Sequence, residues 1–145
     1  MNQERGLDEF SVCILESKSP ILVEDCIAIK LDGASISTIQ ELHDGLKGPL
    51  KFPGDYAHSL DALFDVLIDL AWLNRRPVHL IINNFDYLLE AESAERKIQG
   101  ILTLIDAGRT WLKLTRQSEL FQISVKQSNH IIPMLETCEV PYVTI

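Results

Sequence analysis

Residues 78–82 read Val-His-Leu-Ile-Ile, and this run carries the clearest strand signal in the chain. It follows Arg75-Arg76-Pro77 and is nearly continuous in apolar residues. Strands of parallel sheets are covered by helices on their faces, so their sequences lose the apolar-polar alternation of half-exposed strands. The run therefore predicts a buried inner strand of an α/β sheet.

Four other segments have the composition or alternation of strands: Glu9 to Glu16, Cys26 to Leu31, Leu120 to Val125 and Val140 to Ile145. The last contains Pro141, which a sheet tolerates only at its edge or at the start of a strand, so it predicts an edge strand. A turn at Asp32-Gly33 ends the second segment, and we expect Gly33 to supply a positive φ there.

Helical spacing of apolar residues separates these strands in three places: Ser37 to Gly48, Ser59 to Trp72 and Ser93 to Trp111. The first has two candidate caps, Ser37 and Thr38. A short helix or turn is expected near Phe85 to Leu89, an exposed loop at Leu50 to His58, and no element is assigned between Asn129 and Val140. Strands that alternate with helices predict an α/β domain with parallel pairing and right-handed crossovers.

Length and cysteine content favour one reduced, soluble domain. The chain has 145 residues, within the usual range for a single domain, and 3 cysteines, an odd number with no C-x-x-C spacing. The start is polar and no apolar run is long enough to cross a bilayer, so we expect neither a signal peptide nor a membrane partner. These features predict a cytoplasmic protein.

Charge is the most informative part of the composition. The chain has 21 acidic and 13 basic residues and a formal net charge of -8 at pH 7. Such a chain is poorly suited to nucleic acid, which is bound through clustered Lys and Arg, but it would attract a basic protein. Solubility alone is an alternative reason for the same charge.

Catalytic and cofactor motifs are absent from the sequence. The 4 histidines are scattered, and there is no phosphate-binding glycine loop and no G-x-S-x-G elbow. His79 lies in the predicted inner strand, where a satisfied core residue or a partly exposed one is expected. We therefore expect a protein without a catalytic site, a metal or a cofactor.

The second predicted helix has an unusual row of acids. Asp61, Asp65 and Asp69 recur at i, i+4 and i+8, a spacing at which like charges destabilise a helix. Such a row can serve a cationic partner, or it can be a solvated face on which Arg75 or Arg76 partly neutralises Asp69. The preceding loop brings further acidic and aromatic groups to the start of the helix: Asp55, Tyr56 and His58.

In this region the chain resembles the barstar family. The resemblance rests on Phe52 to Leu67 (FPGDYAHSLDALFDVL), which follows the family pattern of Pro, an aromatic loop and a helix of the form L-D-A-L-x-D-x-L. The order of elements agrees from about Cys26 to about Val125, leaving extra segments at both ends. The resemblance implies one domain over 1–145, with a three-stranded parallel sheet that terminal strands could extend and helices that cover it.

The resemblance also implies an inhibitor whose second helix and preceding loop enter the active site of a ribonuclease. The carried-over partner-binding positions are Asp55, Tyr56, His58, Ser59, Asp61, Phe64, Asp65 and Asp106. Asp61 and Asp65 match the two acidic contacts, Phe64 a Trp between them, and Asp106 a Glu on the last helix. The chain departs from the pattern at Asp55, Ala57 and Ser59, where an aromatic residue, Gly and Asn are usual.

Three functions follow, in decreasing order of support. The first is a stoichiometric inhibitor, or immunity protein, for a ribonuclease toxin. The second is a barstar-like interaction or regulatory module without a nuclease partner. The third is an enzyme that uses His58 with Asp55 or Asp61 as an acid-base pair.

Overall fold

The computed structural model describes residues 9–16, 19–20, 22–53, 59–69 and 76–145. These residues form five strands: β1 (Val12–Leu15), β2 (Ile27–Asp32), β3 (Val78–Asn83), β4 (Phe121–Lys126) and β5 (Tyr142–Thr144). They also form four α-helices: α1 (Ile39–Lys47), α2 (Leu60–Ile68), α3 (Ala94–Thr115) and α4 (Ile131–Thr137). Short 3₁₀ helices span Phe85–Tyr87 and Ser118–Leu120.

The five strands form one parallel sheet in the order β2-β3-β4-β1-β5. Leu80 of β3 is in register with Ile29 on one side and Ile123 on the other, and Cys13 of β1 is in register with Ser124 of β4. The predicted α/β class and parallel pairing are confirmed. The sheet has five strands because β1 joins it beside β4 and β5 pairs with the other side of β1, which places β5 at the edge as Pro141 indicated.

One side of the sheet forms the core with the helices. Side chains that share this face, such as Ile29, Leu80 and Ile123, are almost fully buried and cluster with apolar residues of α1, α2 and α3. The segment after α1 was predicted to be an exposed loop from Leu50 onward, but Leu50 is completely buried in the same cluster. Apolar burial thus extends past the end of α1.

Thr38 caps α1, which settles the choice between Ser37 and Thr38. Its hydroxyl accepts a hydrogen bond from the Glu41 amide at 3.1 Å, and the Glu41 carboxylate accepts from the Thr38 amide at 3.2 Å and the Ser37 amide at 2.8 Å. This reciprocal arrangement satisfies amides that a helix start leaves without partners. These bonds, with that from Ser37 leading, hold the pKa of Glu41 below its usual value.

Gly33 is needed for a different reason from the predicted one, because its φ is not positive. Its amide donates to the Asn83 carbonyl at 2.7 Å, which brings the turn against the end of β3. A Cβ atom at this position would overlap with the Asn84 carbonyl oxygen and lie 2.9 Å from the carbonyl carbon. A close approach of two backbones therefore excludes a side chain here.

We expect Gly33→Ala to lower the free energy of unfolding by about 1–3 kcal/mol, because backbone atoms must move to admit the methyl group. Gly48→Ala is the matched control, since nothing lies within 4 Å of a Cβ atom there and its backbone is helical. Urea denaturation measures both. Equal stability of the two variants would show that the turn at Gly33 yields without cost.

His79 is a core residue as expected, but it is only partly satisfied, because its Nδ1 is buried without a hydrogen-bond partner among the described residues. It is 3% exposed, and its Nε2 lies 2.7 Å from the Ser124 hydroxyl oxygen on the neighbouring strand. Burial lowers the pKa of His79 below its ordinary value of 6.5, because the charged imidazolium would lose its hydration.

His79 should therefore make the fold sensitive to mild acid. The contribution of His79 to the free energy of unfolding is complete above pH 6.5, the ordinary pKa of His in the unfolded chain. It is lost as the pH falls toward the lower pKa of the folded state, because the unfolded chain then binds a proton that the folded chain does not. The slope is at most about 1.4 kcal/mol per pH unit. Urea denaturation between about pH 7.5 and 5 should show a shallower loss for His79→Gln; parallel curves would contradict this origin.

Candidate functional site

The acidic helix α2 is anchored by its apolar side. Ser59 caps it by accepting a hydrogen bond from the Ala62 amide at 3.1 Å, and Leu63 and Leu67 are completely buried. Asp61 and Asp65 consequently lie on the outer side and are exposed. The apolar positions thus determine which way the two carboxylates face.

The helix is shorter than predicted. It ends at Ile68, and Asp69 has a non-helical backbone with φ -112° and ψ 72°. The expectation that this helix continues past Ile68 is therefore wrong, while its predicted end at Trp72 lies outside the described residues. Asp69 does not continue the helical row. Arg76 does not neutralise Asp69 either, since it pairs with Asp25 at 3.3 Å, while Arg75 lies outside the described residues.

A buried indole holds the end of α2 against α3. Trp111 donates a hydrogen bond from Nε1 to the Leu67 carbonyl at 2.8 Å, one of the carbonyls that a helix end leaves without a partner. Its ring stacks on Phe121 of β4 with centroids 5.9 Å apart. Trp111 therefore links the sheet, α3 and the acidic helix through direct contacts.

A groove of about 690 Å³ runs between α2 and α3. Four of its lining residues come from α2 (Leu60, Asp61, Phe64 and Asp65) and four from α3 (Thr103, Asp106, Arg109 and Thr110). The structure therefore brings together four predicted partner-binding positions: Asp61, Phe64, Asp65 and Asp106. The first and last of them are 45 residues apart in sequence. Ser59 lies at the start of α2, while Asp55, Tyr56 and His58 lie outside the described residues.

The two carboxylates on α2 differ from the one on α3. Asp106 forms an ion pair with Arg109, with Oδ1 and Nη1 2.9 Å apart. Within the described ranges, the side-chain carboxylates of Asp61 and Asp65 have neither a salt bridge nor a hydrogen-bond donor. Among the described residues, the α2 side of the groove therefore carries two negative charges without a cationic partner.

This arrangement suits recognition of cations. Asp61 and Asp65 stand one helical turn apart beside the half-buried ring of Phe64, which adds apolar contact area between two charges. Across the described residues, no group of three or more His, Cys, Asp or Glu side chains is placed to hold a metal ion. None of the described helices combines the length and the apolar character needed to cross a membrane.

Four groove residues were not among the predicted partner-binding positions: Leu60, Thr103, Arg109 and Thr110. A signal existed for Thr103 and Thr110, because they recur with Asp106 at i, i+3 and i+7 and thus share one helix face.

Comparison with a known structure supports the fold. The chain is similar to a chain in the structure of Drosophila ORC bound to AT-rich DNA and Cdc6, with a TM-score of 0.57 and 13% identity. The match covers 99% of this chain and 50% of that one. At this identity the similarity concerns the fold alone.

Two sequence comparisons agree on the family. The chain is 41% identical over 59 residues to "Putative ribonuclease inhibitor YrdF" of Bacillus subtilis (strain 168), a match that covers 41% of this chain and 62% of that protein. The model of the family "Barstar (barnase inhibitor)" matches residues 27–126, from β2 through β4 and including α2 and the groove. The chain belongs to the Barstar family.

Proposed function

We propose that this protein is a stoichiometric inhibitor of a barnase-type ribonuclease and covers the nuclease active site with the groove between α2 and α3. The observation that carries the proposal is the exposure of Asp61 and Asp65, which have no cationic partner within the described residues. A ribonuclease active site must be positive to hold phosphate. Two carboxylates one turn apart would occupy positions of that phosphate.

The charge of the whole chain favours such a partner. A net charge of -8 attracts a basic protein from a distance, which speeds association and makes the rate fall as salt is added. Phe64, half-buried between the acids, would supply apolar contact once the partner excludes water. In this proposal the protein acts in the cytoplasm as an immunity protein against a ribonuclease toxin and performs no catalysis itself.

An RNA-cleavage titration tests the proposal. Increasing amounts of the chain are added to a fixed amount of barnase, and the rate of cleavage of a fluorogenic RNA is measured. We expect the rate to fall linearly and to vanish at one equivalent. The double variant Asp61→Asn, Asp65→Asn is the control, because it removes both charges while keeping the side-chain shape.

Loss of inhibition in that variant alone would place the activity on α2. Undiminished cleavage at tenfold excess of the natural chain would contradict the proposal.

A further inference from the structure

The two sides of the groove carry different charge. Asp61 and Asp65 make the α2 side anionic, whereas the ion pair between Asp106 and Arg109 makes the α3 side neutral overall. Both members of that pair are close to half exposed, at 53% and 43% of their side-chain surface. A partner in the groove therefore meets a guanidinium group as well as carboxylates.

Arg109 has hydrogen-bond donors to spare. A guanidinium group has five N–H donors, and Asp106 Oδ1 takes one of them, at Nη1. The neighbouring hydroxyls have already committed their hydrogens, since Thr103 donates to the Gln99 carbonyl at 2.8 Å and Thr110 to the Asp106 carbonyl at 2.9 Å. Among the described side chains that line the α3 side, Arg109 is thus the donor left for a partner.

We infer that Arg109 is a specificity-determining residue, which selects a partner face that carries a carboxylate beside its cations. The inference rests on the proposed function, because it concerns the same groove, and it adds an acidic group to the chemistry of the partner. A purely cationic face would suit Asp61 and Asp65 but would place a cation against Arg109. Arginine binds carboxylate through paired N–H groups, so it suits this role better than lysine.

A pair of small probes tests the inference on the chain by itself. Nα-acetylarginine has a guanidinium group and a carboxylate, and Nα-acetylargininamide has the guanidinium group without the carboxylate. The net charge of -8 favours the amide, so a preference for the acid must have a local cause. Both are titrated into the ¹⁵N-labelled full chain at low salt, and binding is followed at the backbone amides of 60–65 and 103–110.

We expect the acid to bind the groove about two- to fivefold more tightly than the amide, in line with exposed ion pairs. Arg109→Gln should reverse that preference. Arg96→Gln should leave it unchanged, because Arg96 is exposed in the first turn of the same helix and does not line the groove.

Tighter binding of the amide, equal binding of the two probes, or an absence of shifts in the groove would overturn the inference, as would a preference that survives Arg109→Gln. The proposed function can fail independently: a chain that prefers the acid but leaves barnase active keeps the role of Arg109 and loses ribonuclease inhibition.

Discussion

Asp65→Ala should weaken binding to barnase by about 2–5 kcal/mol. This is the general loss of binding free energy when one member of a desolvated charge pair is truncated, and the range already draws on a complex of this family. The dissociation constant would rise roughly 30- to 4,000-fold. Most of the loss arises because the cation on the nuclease stays buried without its partner. Surface plasmon resonance at fixed salt measures it, and the loss should appear mainly as faster dissociation.

Asp44→Ala is the matched control for this prediction. Asp44 also lies on a helix, its side chain is 51% exposed, and its replacement changes the net charge by the same amount. It pairs with Lys47 on α1, away from the groove. Equal weakening by the two variants would mean that overall charge, and not the position of Asp65, determines binding.

Trp111→Ala should lower the free energy of unfolding by about 3–5 kcal/mol, the usual cost of removing a buried Trp or Phe side chain. The ring is 3% exposed, stacks on Phe121 and donates to the Leu67 carbonyl, so its loss leaves a cavity and an unsatisfied group. This is a large part of the 5–15 kcal/mol that stabilises a typical domain. Urea denaturation measures the change.

Two further variants separate the causes. Trp111→Phe keeps most of the ring but leaves the Leu67 carbonyl without its donor, so we expect a loss of about 1–3 kcal/mol. Leu114→Ala is the control, since Leu114 is 69% exposed on the same helix and should change stability by less than about 0.5 kcal/mol. A small effect of Trp111→Ala would show that the end of α2 is held by other contacts.

Much of the fold was accessible from sequence because its signals are local. The apolar run at Val78–Asn83 and the capped, periodic α1 and α2 depend on side chains within each segment. Helix α4 was not predicted, for two reasons. His130, the residue before it, provides no side-chain cap, and Pro133 lies inside the short segment, where a proline usually argues against a helix. The order of the strands depends on contacts between distant segments.

The candidate site was accessible to a similar degree. Asp61, Phe64 and Asp65 were identified because they share one short helix with a recognisable pattern, and Asp106 because it matches a family position. The pairing of Asp106 with Arg109 was not anticipated, since i, i+3 spacing permits such a pair without requiring it. Likewise, the turn pattern predicted a positive φ at Gly33, whereas the reason for glycine is the close approach of the Asn84 backbone, which no local pattern shows.

The mode of inhibition tests the central claim most directly, because it asks whether the carboxylates of α2 take the place of phosphate. Barnase is assayed with the chain at several concentrations of a nucleoside 3′-monophosphate that occupies its active site. We predict competition: the apparent inhibition constant of the chain rises linearly with nucleotide concentration, because it equals the intrinsic constant divided by the fraction of barnase that is free of nucleotide. An inhibition constant that does not change with nucleotide would place the chain on another surface of the nuclease and contradict the account.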